Sequence, residues 1–242
     1  MKINRITYLF ARRCYKVPWL FQQIIKAGNS KKYTIQERYD IVKKVCHKVN
    51  IYAHVNIICT GTENLPKKDG FLITPNHQGL FDVLLMIDTC QKPFSVIMRK
   101  ELENIPLLKQ VMKALDGKVI DREDNRQAMT IIKEMAEEMK NGRNYVIFPE
   151  GTRSKNGNVP GEFKGGTYKS AVKAKAPIVP VALIDSFKPF DIKDTKSVDV
   201  QIHYLEPIYY EEYKDMKTLE IAALVKSRIV NKIEKETEKK QN

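Results

Sequence analysis

His77 and Asp82 stand five positions apart in Asn76-His77-Gln78-Gly79-Leu80-Phe81-Asp82. The apolar run Phe71-Leu72-Ile73-Thr74 before them reads as a buried strand that Pro75 stops, and Phe81 to Asp88 takes up helical spacing. His77 is therefore expected in a loop beyond a strand end, with Asp82 in the first turn of a helix, where the helix dipole favours a negative charge. A carboxylate bonded to one imidazole nitrogen fixes the tautomer and leaves the other nitrogen as an acceptor. Such a nitrogen is suited to take a proton from a hydroxyl as it attacks a carbonyl. The spacing alone also fits a loop histidine held for structure. His47, His54 and His203 have no aspartate at that spacing.

A second constellation follows some seventy residues later, in Phe148-Pro149-Glu150-Gly151-Thr152-Arg153-Ser154. It continues a buried run, Tyr145-Val146-Ile147-Phe148, and turns at its end. Gly151 permits a positive φ or a close ligand approach. Arg153 offers a planar fork that matches phosphate oxygens. Glu150 is suited either to accept from a free hydroxyl or to hold Arg153, and a purely structural Glu–Arg pair is the plainer reading. An oriented base beside an anion-binding turn is the equipment for transferring a group to a phosphorylated alcohol.

The elements that must position these residues are legible as an alternation. Candidate strands are 55–60, 71–74, 94–98, 118–120, 144–148, 178–183 and 198–204. Candidate helices lie near 80–90, 106–114, 124–140, 165–175 and 217–237. That pattern predicts an α/β fold with a mixed, largely parallel sheet flanked by helices. Residues 151–166 form a long irregular stretch with five of the eleven glycines, a composition common in functional loops. Ahead of the sheet, a segment at 2–26 and a helix at about 35–50 predict an N-terminal helical pair. The expected division is a membrane-docking region over 1–53 and a catalytic domain over 54–242.

The segment at 2–26 places Ile3, Ile6, Leu9, Phe10, Val17, Leu20, Phe21 and Ile24 in one sector of a helical wheel. Lys2, Arg5, Arg12, Arg13 and Lys16 run along its edge, with Tyr15 and Trp19 beside them. A basic amphipathic helix of this kind suits an anionic bilayer surface, although Pro18 interrupts the wheel and packing on the catalytic domain is the alternative. No run approaches the ~18 apolar residues of a membrane-spanning helix. The net charge of +13 attracts anionic lipid, phosphorylated substrates or nucleic acid. No RNA-binding signature or zinc spacing favours the last of these, so no nucleic-acid partner is expected. Cys14, Cys46, Cys59 and Cys90 form no CxxC pair and read as reduced packing residues. The localisation expected from these features is peripheral, on the cytoplasmic face of the cell membrane.

Asn76-His77-x4-Asp82 followed by Phe148-Pro149-Glu150-Gly151-Thr152-Arg153 resembles the glycerolipid acyltransferase family, in particular its 1-acylglycerol-3-phosphate acyltransferases. Two further blocks agree in order: Gly117-Lys118-Val119-Ile120-Asp121-Arg122 and Pro177-Ile178-Val179-Pro180-Val181. Lys100-Glu101-Leu102 and Phe163-Lys164-Gly165-Gly166 also match recurrent stretches. The resemblance implies direct attack by an acceptor hydroxyl on an acyl thioester, with no metal or redox cofactor. It implies His77 as base and Asp82 as its orienter. Arg122, Glu150, Gly151, Thr152 and Arg153 would then line the acceptor site, and Lys100 and Lys164 would be further phosphate-binding candidates. The partners implied are lysophosphatidic acid and acyl-CoA or an acyl carrier protein. Glycerol 3-phosphate or another lysophospholipid as acceptor, or a non-catalytic membrane-binding protein, are the alternatives.

Overall fold

The computed structural model describes residues 12, 15–121, 123–193 and 196–239. Within them the chain begins with helices α1 (Val17–Ala27) and α2 (Ile35–Tyr52), followed by strands β1 (Val55–Thr60) and β2 (Leu72–Pro75). Then come α3 (Phe81–Thr89), β3 (Phe94–Arg99), α4 (Pro106–Ala114), β4 (Lys118–Ile120), α5 (Asn125–Lys140) and β5 (Asn144–Val146). After a long loop follow α6 (Lys169–Ala174), β6 (Ile178–Ile184), α7 (Lys188–Asp191), β7 (Val198–Tyr204), α8 (Tyr210–Tyr213) and α9 (Thr218–Glu238).

The strands form one sheet of order β1-β7-β6-β2-β5-β3-β4. Every neighbouring pair is parallel except β6 and β7. The α/β fold and its mixed, largely parallel sheet are thus as expected from the alternation of strand-like and helical runs. Strand β2 lies between β5 and β6, so the carboxyl ends of three adjacent parallel strands open on one crevice. Ligand sites of open α/β sheets lie in such a crevice.

Apolar residues cover both faces. On one face Ile73, Val146, Val179 and Val181 pack with Tyr39, Val42, Phe81 and Leu85 from α2 and α3. On the other, Leu72, Tyr145 and Ile178 meet Ile131, Met135, Ile221 and Val225 from α5 and α9. The alternation of Leu72 and Ile73 between the two cores follows from the twofold period of a strand. Arg38 on α2 grips Asp116 through its two terminal guanidinium nitrogens at 2.7 and 2.5 Å, tying the helical pair to the turn before β4.

Local signals explain the helix boundaries. Thr34 and Glu37 form a reciprocal capping box at the start of α2, and Asp124 caps α5 through the amides of Arg126 and Gln127. Pro18 lies in the first turn of α1, where its missing donor breaks no helical bond. The helix expected over 165–175 is instead a 3-10 turn, Gly165–Tyr168, leading into the short α6. Two adjacent glycines make a poor helix start, and Lys175 ends the element in a left-handed conformation with φ of 54°.

Most of the basic wheel expected at 2–26 falls on residues 1–11, 13 and 14, outside the described residues. In α1 the wheel divides. Leu20 and Ile24 pack against Val45 of α2, whereas Trp19 and Ile25 are each 46% exposed. Among the described residues no helix is long and apolar enough to cross a membrane.

Candidate functional site

The site is assembled where β2, β5 and β6 end. After Pro75 the chain leaves the sheet as an irregular loop and re-enters helix at Phe81. Asn76, buried at this departure, locks the loop to β6: its Nδ2 donates to Leu183 O at 3.0 Å and its Oδ1 accepts from Leu183 N at 2.7 Å. His77 Nδ1 lies 2.8 Å from Asp82 Oδ2. The imidazole stacks on Phe148, with ring centroids 4.2 Å apart. Its side chain is 22% exposed, and among the described residues nothing bonds its Nε2.

Asp82 is fully buried, and its carboxylate is surrounded by donors. Oδ2 also accepts from the amides of Gln78 at 2.6 Å and Gly79 at 3.0 Å, and Oδ1 accepts from Ser186 Oγ at 2.6 Å. These bonds fix the carboxylate in the plane that holds Nδ1–H, and so leave Nε2 as the acceptor. A buried anion is tolerable only when it is bonded in this way.

Glu150 takes a place the sequence does not suggest. It is 3% exposed, and its two oxygens accept from backbone amides: Oε1 from His77 at 2.7 Å and Oε2 from Gly161 at 2.7 Å. Burial raises its carboxyl above the usual range, against the pull of the two amide bonds and of His77. Neither oxygen holds Arg153, the pairing considered from the sequence. Gly151 has φ of 72°, and this left-handed turn separates the directions of the two side chains. At Gly161 a Cβ would stand 2.7 Å from Glu150 Oε2, so a larger residue there would have to push the carboxylate off its two amides.

The two motifs are joined directly, since Ser154 N donates to His77 O at 2.7 Å alongside the Glu150 bond. Arg153, next to Ser154, is half exposed and lies 3.4 Å from Asp191 of α7 through Nη1. Thr152 is exposed. Lys100 pairs with Asp121 at 2.9 Å, which raises its ammonium above the ordinary lysine range. Lys164 is exposed, and its amide donates to Pro149 O at 2.9 Å. Arg122 lies outside the described residues.

Several supports were not legible in the sequence. Gln78 Oε1 accepts from Ser186 N at 2.8 Å, and Gln78 Nε2 donates to Asn158 Oδ1 at 2.8 Å. Asn158 in turn donates to Asp185 Oδ1 at 2.9 Å. The loop after β5 is thereby strapped over the His77 turn. His203, the one buried histidine, serves a different purpose. Burial, aided by Lys232, pushes its imidazole down to about 4, so it is a neutral link between Thr60 and Gln201 in the sheet.

The chain matches the family model described as Acyltransferase over residues 56–184, which spans both motifs. It is 31% identical over 198 residues to the 1-acyl-sn-glycerol-3-phosphate acyltransferase of Borreliella burgdorferi, covering 80% of this chain and 78% of that protein. It is 32% identical over 216 residues to the probable 1-acyl-sn-glycerol-3-phosphate acyltransferase of Mycoplasma pneumoniae, covering 79% of each. The fold superposes with a TM-score of 0.77 on the crystal structure of the 1-acyl-sn-glycerophosphate acyltransferase PlsC from Thermotoga maritima. That match covers 95% of this chain and 92% of the other at 22% identity. By its motifs, its fold and these relatives, the chain belongs to the acyltransferase family.

Proposed function

We propose that the protein moves a fatty acyl group from an acyl thioester, carried by coenzyme A or an acyl carrier protein, to the sn-2 hydroxyl of lysophosphatidic acid. The product would be phosphatidic acid, for phospholipid synthesis. The observation that carries the reading is the 2.8 Å bond from His77 Nδ1 to a fully buried carboxylate, beside an Nε2 with no partner among the described residues. The names of the relatives support the acceptor.

In this reading Nε2 takes the hydroxyl proton as the acceptor oxygen bonds to the thioester carbonyl carbon. The tetrahedral intermediate collapses with cleavage of the C–S bond. The departing thiolate recovers the proton from Nε2, so the imidazole ends neutral and no acyl–protein bond forms. The Asp82 carboxylate faces the transient imidazolium. The amides of Gln78 and Gly79 already serve Asp82, so they do not double as donors to the developing oxyanion. Glu150 acts by holding the His77 backbone and the Gly161 strap. Purified protein supplied with an acyl thioester and lysophosphatidic acid, glycerol 3-phosphate or other lysophospholipids should prefer the first acceptor. Absence of transfer to lysophosphatidic acid would overturn the assignment.

Arg153 is the proposed ligand of the acceptor phosphate, with Thr152 and the Gly151 turn beside it and Arg122, Lys100 and Lys164 as further candidates. Its long, half-exposed contact with Asp191 is the weak kind of pair that a phosphate replaces. Arg153→Ala should raise KM for lysophosphatidic acid about 10-fold while leaving kcat within about 2-fold. Steady-state kinetics with an unchanged KM would remove the phosphate role.

Both substrates are amphiphiles, and docking on the cytoplasmic membrane face would deliver them without extraction into water. Tyr15, Trp19 and Ile25 are exposed on or beside α1, with Lys16 and Lys26 among them. Such a surface suits an anionic bilayer. Replacing Trp19 and Ile25 together by serine should weaken cosedimentation with vesicles of anionic phospholipid about 10-fold. Undiminished association would reduce that face to ordinary protein surface.

A further inference from the structure

We infer that Ser186 is a positioning residue for the reaction, acting through Asp82, which rests on the His77–Asp82 reading above. Ser186 directly follows Asp185 beyond the end of β6, far from both motifs in sequence, and is fully buried. Its hydroxyl supplies the one donor seen on Asp82 Oδ1 among the described residues, at 2.6 Å. The other carboxylate oxygen carries three donors, from His77, Gln78 and Gly79.

The direction of the Ser186 proton follows from the surrounding network. The hydroxyl has one proton and two acceptors within reach, Asp82 Oδ1 at 2.6 Å and Gln78 Oε1 at 2.8 Å. Gln78 Oε1 already accepts from Ser186 N, and its orientation is set because Nε2 must donate to Asn158 Oδ1 and Gly157 O. Asn158 is oriented in turn by accepting from Asp185 N and donating to Asp185 Oδ1. The hydroxyl therefore gives its proton to the nearer, charged carboxylate, which forms the stronger bond.

The consequence is electrostatic as well as geometric. A donor on Oδ1 draws charge away from Oδ2 and fixes the rotation of the carboxylate about its Cβ–Cγ bond. Without it, Oδ1 is left unpaired in a site closed to water, and more charge falls on the oxygen facing His77. The imidazolium would then be over-stabilised, and the free base would need a higher pH to form.

Ser186→Ala removes one oxygen and leaves the amide bond from Ser186 N to Gln78 untouched, so the fold should be retained by circular dichroism and melting. The expected results are a kcat lower by about 10- to 100-fold with KM for both substrates unchanged. The acid limb of the pH–rate profile should move to higher pH. In an Asp82→Asn background, the same substitution should change kcat by less than about 3-fold, because its effect passes through the carboxylate. Wild-type kcat with an unmoved profile would overturn the inference, and so would losses that multiply in the Asp82→Asn background. His77→Ala in the same assay separates the two levels: if it retained transfer, the base itself would be wrong, whatever Ser186 did.

Discussion

His77→Ala should lower kcat by about 10²–10⁴-fold with little change in the KM of either substrate. The size follows from removing a general base whose free nitrogen is the proposed proton acceptor. The specificity follows from how the loop is held. Its attachments are made by backbone and by other side chains: Glu150 Oε1 to His77 N, Ser154 N to His77 O, and Asn76 to Leu183. None of these bonds needs the imidazole. The variant should therefore melt close to the wild type, and its loss of rate can be assigned to chemistry. A variant that folds normally and transfers acyl groups at the wild-type rate would end the base assignment.

Asp82→Asn is expected to cost about 10²-fold or more in kcat, again at nearly constant KM. The amide is nearly isosteric, and the surrounding donors select its orientation. Its oxygen must face His77 Nδ1 and the amides of Gln78 and Gly79, because an NH2 group there would meet three donors. Its nitrogen then donates to Ser186 Oγ, whose own proton turns to Gln78 Oε1, 2.8 Å away. The hydrogen-bond pattern survives, the tautomer of His77 is kept, and only the negative charge facing the imidazolium is lost. Stability measured by thermal melting should change little at neutral pH. Wild-type turnover in this variant would show that the charge of Asp82 contributes nothing to the reaction.

Much of this site is written in short-range sequence. His77 and Asp82 are joined by a five-residue spacing across a strand end and a helix start, and Pro75 marks the boundary. The seven strands stand out because apolar β-rich runs alternate with helical ones. Strand β5 ends at Val146 rather than at 148, although Ile147 N still donates to Ile73 O at 3.0 Å as the chain departs toward Pro149. The short helices α7 and α8 leave no signal in the sequence, because four residues carry no periodicity.

The partners of Asp82 and Gln78 were illegible for a different reason. Ser186 and Asn158 reach them only because β6 and β5 flank β2 in the sheet, and strand order is not encoded in any local pattern. Glu150 and Arg153 look like a pair in sequence, three residues apart. The positive φ of Gly151 turns Glu150 inward to two backbone amides and leaves Arg153 outward near Asp191. A carboxylate that bonds only main chain leaves no trace in the identity of its partners, apart from the close approach that a glycine permits at 161.

The central claim is direct transfer, from thioester to alcohol, with His77 as the base and no acyl–protein intermediate. It is tested most directly by following free thiol and lipid product together, with purified protein at substrate-like concentration. Without acceptor, the expected result is no rapid thiol release and no acyl adduct on the intact protein by mass spectrometry. On addition of lysophosphatidic acid, one thiol should appear for each phosphatidic acid formed. A burst of thiol equal to the enzyme concentration before any acceptor is added, with the acyl mass retained on the chain, would contradict it.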